Sequence, residues 1–299
     1  MRIKIILLLI TVISGISCSL FRSKTGNVDD FLPRETDVPG WIRSEAVQSY
    51  TGSNIKKYNK DYTGIGIERL SSSVYKSIDN SEIKIKIEVV RFDSVLNAYG
   101  FFSVIRGHGI FDAGETSDFS SDKLSVISKG NYVVYSSTDN ESPSMKKELI
   151  LFSKIPFNYI GENYMTYKLP ERLNILKSAD RYGIIYSAGH HSKFSSLEKI
   201  AYTQWKWNNK LINVFYSEYR SFYDAYEVFK ENIVDNYIVS SSDEIYTAFK
   251  KDDDGKYIFI SVKDNRIFGG WSIEEYNDIN KILIEILNKI HDYNKQNTK

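Results

Sequence analysis

One element is written twice in this chain, and the duplication limits the fold more than any other feature of the sequence. The segment 92–102 reads FDSVLNAYGFF, and 127 residues later the segment 219–229 reads YRSFYDAYEVF. A second pair also matches, because KGNYVVYS at 129–136 is similar to DGKYIFIS at 254–261, at an offset of 125. Self-similarity at a nearly constant distance indicates two copies of one structural unit.

The residue pattern before the first copy predicts a β-strand. In EIKIKIEVV, isoleucine and valine alternate with Glu82, Lys84, Lys86 and Glu88. An alternation of period two with one charged face is typical of an antiparallel strand that is buried on one side and solvated on the other. The first repeat is therefore expected to contain an antiparallel sheet.

The copied element itself has the pattern of a helix. Apolar residues recur at helical spacing over 95–105, and Asp93 or Ser94 is suited to cap the helix. Gly100 weakens a helix, so its presence predicts close packing at that point.

Both repeats are predicted to run in the order strand, strand, helix, strands, helix. In the second repeat, Asn208-Asn209 marks a hairpin turn and 272–293 has a helical apolar stripe. The expected fold class is α+β, with two tandem repeats that each have an antiparallel sheet and helices packed on one face. The expected boundaries are a signal peptide at 1–17, a tether at 18–30, a first repeat at 31–160, a linker at 161–181 and a second repeat at 182–299.

The N-terminal segment predicts export and a lipid anchor. Arg2 and Lys4 precede an apolar run that is too short to span a bilayer, and Cys18, the only cysteine, follows it. A lone cysteine here resembles the lipid-acceptor residue of bacterial lipoproteins, which carries acyl chains such as palmitate. Gly15 and Ser17 depart from the usual lipoprotein motif and also fit ordinary signal cleavage, so a soluble exported protein is the alternative.

Composition narrows the class of partner. Removing residues 1–17 leaves 299 − 17 = 282 residues, and the loss of two positive charges changes the formal charge from +1 to about −1. Nucleic-acid binding requires a basic face, so nucleic acid is not expected. A single cysteine excludes an intramolecular disulfide, and no motif indicates a cofactor or a metal.

The chain also resembles a family of exported or lipid-anchored bacterial proteins classed as a domain of unknown function. The resemblance rests on FLP and PGW near residues 31–41, on VVRFDSVLNAYGFFSVIR, and on KGNYVVYS with the helix after it. It covers the chain from about Phe31 onward and is strongest over 82–160. The resemblance implies an envelope location and a two-lobed plan. It implies no catalytic residues, because none is established for that family.

Few residues are candidates for catalysis or metal binding. His108 lies in a glycine-containing segment with Asp112 and Glu115, and loops carry function more often than regular elements do. A solvated loop is the plainer interpretation, and a hydrolase or metal-dependent enzyme around His108 is the alternative. No nucleophile elbow or metal-ligand spacing supports that enzyme.

Four aromatic residues are candidates for ligand binding. Trp205 and Trp207 lie on the same side of a predicted strand, where they could stack on a sugar or serve as a partner contact, or simply fill the core. Tyr99 and Tyr226, the repeated tyrosines, would join Trp205 if a groove ran between the repeats. The sequence therefore favours a non-enzymatic envelope lipoprotein that is a binding or scaffold module of unknown ligand, with an envelope protein or a glycan as a possible partner. A glycan or small-molecule binder using the inter-repeat cleft is the alternative.

Overall fold

The structure is a computed structural model, and it describes residues 27–59, 62, 65–107, 118–161, 171–177, 182–187, 193–194, 196–233, 236–242 and 244–297. The predicted α+β class is confirmed, because the described residues form two antiparallel seven-stranded sheets with helices, one sheet after the other along the chain.

The first sheet has the order β1-β3-β4-β7-β6-β5, and β2 pairs with β3. Its strands are β1 (Trp41–Arg43), β2 (Gln48–Thr51), β3 (Ile67–Ser77), β4 (Lys84–Phe92), β5 (Asp118–Ser120), β6 (Leu124–Lys129) and β7 (Tyr132–Ser137), and its helices are α1 (Ser53–Tyr58), α2 (Val95–Arg106) and α3 (Pro143–Tyr159).

The second sheet has the order β11-β12-β13-β14-β10-β9-β8. Its strands are β8 (Ile185–Ser187), β9 (Ile200–Trp207), β10 (Lys210–Glu218), β11 (Ile238–Ser242), β12 (Ile245–Lys251), β13 (Tyr257–Lys263) and β14 (Arg266–Ile273), and its helices are α4 (Phe222–Asn232) and α5 (Tyr276–Asn297).

The copied element is the same structure in both repeats. Ser94 caps α2 by accepting a hydrogen bond from the backbone N–H of Asn97, and Ser221 caps α4 by accepting one from Asp224. The two serines are 127 residues apart, which is the offset that the sequence predicted. A short polar residue before an aromatic run therefore starts both helices.

The second matched pair of segments was aligned wrongly from the sequence. β4 pairs with β7, and its equivalent β10 pairs with β14 rather than with β13. The segment 129–136 therefore corresponds to 263–270 at an offset of 134, not to 254–261. Asn131 and Asn265 confirm this register, because each side chain donates to a backbone carbonyl, on Phe92 and Tyr219 respectively, at 2.8 Å. Two apolar strands of one hairpin resemble each other, which is why the sequence match fell on the neighbouring strand.

The helices of each repeat lie on opposite faces of the sheet, which differs from the expected single face. Along β4, Val90 and Phe92 pack in the cluster that contains α2, whereas Ile85, Ile87 and Val89 pack in the cluster that contains α3. Because successive strand residues point to opposite faces, each sheet is covered on both sides. The second sheet likewise has α4 on one face and α5 on the other.

The two repeats share one hydrophobic core. The α2 face of the first sheet and the α5 face of the second sheet contribute to the same buried cluster, which includes Phe92, Phe102, Trp205, Phe268 and Ile282. The helix of the second repeat that corresponds to α2 is α4, not α5. The contact therefore joins two faces that are not equivalent in the two repeats. The repeats therefore pack head to tail, as in a heterologous interface.

Helix α2 holds the edge of the second sheet through side chains that bond its backbone. Tyr99 and Arg106 both donate to the carbonyl of Ile184, at 2.7 and 2.8 Å. The backbone N–H of Tyr186 donates to Ser103 Oγ at 3.0 Å. These bonds satisfy backbone groups next to an edge strand, where unpaired groups are costly.

The predicted tether and linker both contribute to the packed structure. Within the expected tether 18–30, Val28 is fully buried and lies in a 3-10 turn at 28–31. Within the expected linker 161–181, a 3-10 turn at 171–176 contributes Ile175 and Leu176 to the shared core. Val28 packs in the same cluster as α3, and Ile175 and Leu176 pack in the core between the repeats, so both segments extend cores that the helices already form.

The structure predicts the effect of adding one methyl group at Gly100. A Cβ there would lie 2.9 Å from Tyr186 Cδ1 and 3.0 Å from the Tyr186 carbonyl oxygen. Gly100→Ala is therefore expected to lower the free energy of unfolding by about 1–3 kcal/mol, although alanine is the better helix former. Glu227→Ala, at the equivalent place on α4, is expected to change it by no more than about 0.5 kcal/mol. Urea unfolding of both variants tests this, and an unchanged or raised stability of Gly100→Ala would contradict it.

Candidate functional site

A pocket of about 260 Å³ lies between the two repeats, beside the contact between α2 and β8. The first repeat supplies residues of α2 and of the segment before β3, and the second repeat supplies β8. The lining residues are Tyr62, Ile65, Asn97, Gly100, Phe101, Val104, Tyr186 and Ser187. Ligand pockets are common at such interfaces.

The described lining of this inter-repeat pocket is mainly apolar, and the phenols of Tyr62 and Tyr186 are its ionisable groups. Asn97 and Ser187 add an amide and a hydroxyl. Asn97 is oriented by its side-chain N–H, which donates to Asp93 Oδ1 at 2.7 Å. A few oriented polar groups in an apolar wall are typical of a site for a small, uncharged molecule.

A buried carboxylate lies behind one wall of the pocket. Glu88 on β4 is only 3 % exposed, and Lys86 Nζ lies 2.7 Å from its Oε1. The hydroxyl of Tyr58 donates to the same oxygen, and the hydroxyl of Tyr62 donates to Oε2 at 2.9 Å. Each carboxylate oxygen thus accepts from a tyrosine, which is how a buried charge is tolerated.

An aromatic series connects this carboxylate to the pocket. The ring centroids of Tyr50 and Tyr58 are 4.5 Å apart, and those of Tyr58 and Tyr62 are 6.1 Å apart. Tyr62 meets Phe101 of α2 edge to face at 5.3 Å. Because Tyr62 and Phe101 both line the pocket, the wall is continuous with the Glu88 cluster.

Burial and charge shift the pKa values of this cluster. Burial raises the pKa of Tyr58 from its usual 10.0 to about 12, and the negative charge of Glu88 adds to the effect. The pKa of Tyr62 is raised for the same two reasons. Burial opposes the charged form of Lys86, but hydrogen bonds to Glu88 and Tyr58 outweigh it and raise its pKa. The tyrosines are therefore neutral donors and the lysine is a cation at neutral pH.

Two of the predicted ligand-binding aromatics are core residues. Trp205 is 4 % exposed, and its indole N–H donates to the carbonyl of Leu176 at 2.8 Å. Tyr99 is also 4 % exposed and bonds Ile184 as described above. Both lie in the shared core and not in a groove, so neither side chain is available to a ligand.

The other two aromatics are half-buried and lie apart from the pocket. Trp207 packs against the shared core on the same side of β9 as Trp205, as predicted. Tyr226 belongs to the separate cluster under α4, where its ring lies 5.1 Å from that of Tyr246. The expected groove of Trp205, Tyr226 and Tyr99 is therefore not formed.

The predicted lipidation residue and the predicted enzymatic residues lie outside the described residues. These are Cys18 and the group His108, Asp112 and Glu115. Among the residues that the structure does describe, no group of histidine, cysteine and acidic side chains could hold a metal ion. The described helices include none that is both long and apolar enough to cross a membrane.

Sequence reasoning missed the residues that form the pocket. Glu88 was assigned to a solvated charged face, yet α1 and the segment after it cover that end of β4 with Tyr58 and Tyr62. The one usable signal was Gly100, which predicted close packing where the pocket lies.

Comparisons with known proteins assign neither a family nor a function to this chain. No family model matches the chain, and no curated protein matches it. Among solved structures, the extracellular domain of PknH from Mycobacterium tuberculosis is similar at 9 % identity and a TM-score of 0.19, over 88 % of this chain and 94 % of that one. A likeness at this level says nothing about what the chain does, and the resemblance to a family of unknown function stays a prediction.

The shifted tyrosines predict how stability depends on pH. Because the pKa of Tyr58 is raised in the folded state, its contribution is complete below about pH 10 and is lost as the pH rises toward 12. The free energy of unfolding should therefore fall over this range, and the fall should be smaller in a Tyr58→Phe/Tyr62→Phe double variant. Urea unfolding at several pH values measures both slopes. An equal slope in the double variant would contradict the assignment.

Proposed function

We propose that this chain is a non-enzymatic binding module that holds a small, uncharged, largely apolar molecule in the inter-repeat pocket. The observation that carries the proposal is the pocket itself, with apolar walls from Ile65, Phe101 and Val104 and polar groups from Asn97 and Ser187. An uncharged ligand fits this lining, because none of the described residues that form it carries a carboxylate, ammonium or guanidinium group.

A small apolar ligand is favoured over a glycan. Sugar binding commonly uses exposed aromatic faces, and the tryptophan best suited to that role, Trp205, is buried with its N–H already bonded. Tyr226 lies in a different cluster from the pocket.

A blocking substitution tests the proposal. Val104 lines the pocket and is 55 % exposed, so Val104→Trp should fill the entrance without disturbing the core. We expect wild-type protein to bind a neutral aromatic probe, 2-naphthol, and Val104→Trp to bind it at least about tenfold more weakly. Ile284→Trp is a matched control, because Ile284 is a similarly exposed aliphatic residue on α5.

Isothermal titration calorimetry and saturation-transfer NMR measure the binding. Failure of the wild type to bind the probe, or equal binding by the two tryptophan variants, would count against the pocket as the functional site.

We further propose that the module is exported and anchored to a membrane of the bacterial envelope through lipid on Cys18. The support is the apolar N-terminal run and the single cysteine directly after it. The nine residue steps from Cys18 to Asn27, where the described structure begins, span at most about 32 Å. A lipid on Cys18 would therefore keep the module within about that distance of the bilayer.

Replacing the proposed acceptor tests the anchor. Several acyl chains give firm membrane attachment, so Cys18→Ala should move the protein from the membrane fraction to the soluble fraction and abolish palmitate labelling. Ser19→Ala, next to it, should do neither. If Cys18→Ala stays membrane-bound with unchanged processing, the anchor lies elsewhere.

A further inference from the structure

The duplication provides an internal reference for every residue of the candidate site. β4 and β10 are equivalent strands at an offset of 127, so Glu88 of the first repeat corresponds to Phe215 of the second. Phe215 is fully buried and packs against Phe194 at 4.6 Å and Trp271 at 6.1 Å. One repeat thus uses an apolar contact at the place where the other buries a carboxylate.

The same comparison applies to the segments that cover these two residues. In the second repeat, Phe194 lies in the connection between β8 and β9 and covers Phe215 with a ring. In the first repeat, Tyr58 and Tyr62 lie before β3 and cover Glu88 with hydroxyl groups. Since a buried charge is less favourable than a well-packed aromatic ring, packing alone does not explain Glu88.

The hydrogen bonds of Glu88 lead directly to the pocket. Of the two tyrosines that it binds, only Tyr62 is among the lining residues, and the Tyr62 ring also meets Phe101 of α2, which lines the pocket too. A hydrogen bond to a charged acceptor fixes the direction of a phenol more strongly than apolar packing does. The orientation of the Tyr62 ring in the pocket wall is therefore set from behind by Glu88.

We propose that Glu88 is a positioning residue for ligand binding, which acts by fixing Tyr62 in the wall of the inter-repeat pocket. This inference rests on the proposed function, because it assigns a role within that same pocket. Glu88 itself does not contact the ligand.

The two tyrosines provide a matched pair of variants. Tyr58→Phe and Tyr62→Phe each remove one hydroxyl that donates to Glu88 and keep the ring. If Glu88 acts through Tyr62, Tyr62→Phe should weaken 2-naphthol binding by about five- to tenfold. Tyr58→Phe should leave binding within about twofold, although both variants lower the stability to urea.

Substitutions of Glu88 complete the test. Glu88→Phe introduces the residue of the other repeat and should weaken 2-naphthol binding about as much as Tyr62→Phe does. Glu88→Gln keeps a carbonyl acceptor and should have a smaller effect. In a double-mutant cycle, Glu88→Gln combined with Tyr62→Phe should bind the probe no more weakly than Tyr62→Phe alone.

The outcomes separate this inference from the proposed function. If wild-type protein binds 2-naphthol and Val104→Trp blocks it, but Glu88→Phe and Tyr62→Phe bind normally, only the positioning role is wrong. Equal losses in Tyr58→Phe and Tyr62→Phe would also overturn it, because they indicate a general structural effect. Absence of binding to the wild type would overturn both proposals.

Discussion

The two repeats are held together where Gly100 on α2 approaches Tyr186 on β8. Without a side chain at position 100, the helix comes close enough for Tyr99, Ser103 and Arg106 to bond the backbone of the second sheet's edge. These bonds join the repeats through backbone groups that an edge strand leaves unpaired. The pocket lies beside the same contact, so one interface accounts for both the assembly of the repeats and the candidate site.

The two repeats have the same plan but different outer surfaces. The positions on α4 that correspond to Gly100 and Ser103 are Glu227 and Lys230, whose charged groups lie 2.6 Å apart. Burying these charged groups under another sheet would be costly. Helix α2 therefore packs against the edge of the neighbouring repeat, whereas the equivalent face of α4 is suited to solvent. The shared plan explains the fold, and the differences between the copies, Gly100 and Glu88 above all, explain where a site can form.

The candidate site was less predictable than the fold for a physical reason. Tyrosine and tryptophan are useful both in cores and in binding sites, so Tyr99 and Trp205 looked like ligand contacts until their burial was known. Glu88, in contrast, was expected to be exposed to solvent, because strand alternation placed it with Lys84 and Lys86 on a charged face. Its burial depends on α1 and on Tyr62, which come from a separate part of the chain.

Local sequence patterns were enough to predict the duplication, the antiparallel strands, a helix capped by Asp93 or Ser94, and close packing at Gly100. These follow from local periodicity and backbone preferences, which act over a few residues. The folded structure was needed to establish the register of the second hairpin, the placement of helices on both faces, the head-to-tail contact and the burial of Glu88. Each of these depends on which distant surfaces meet, and similar apolar strands and helices carry no local mark of the partner they will cover.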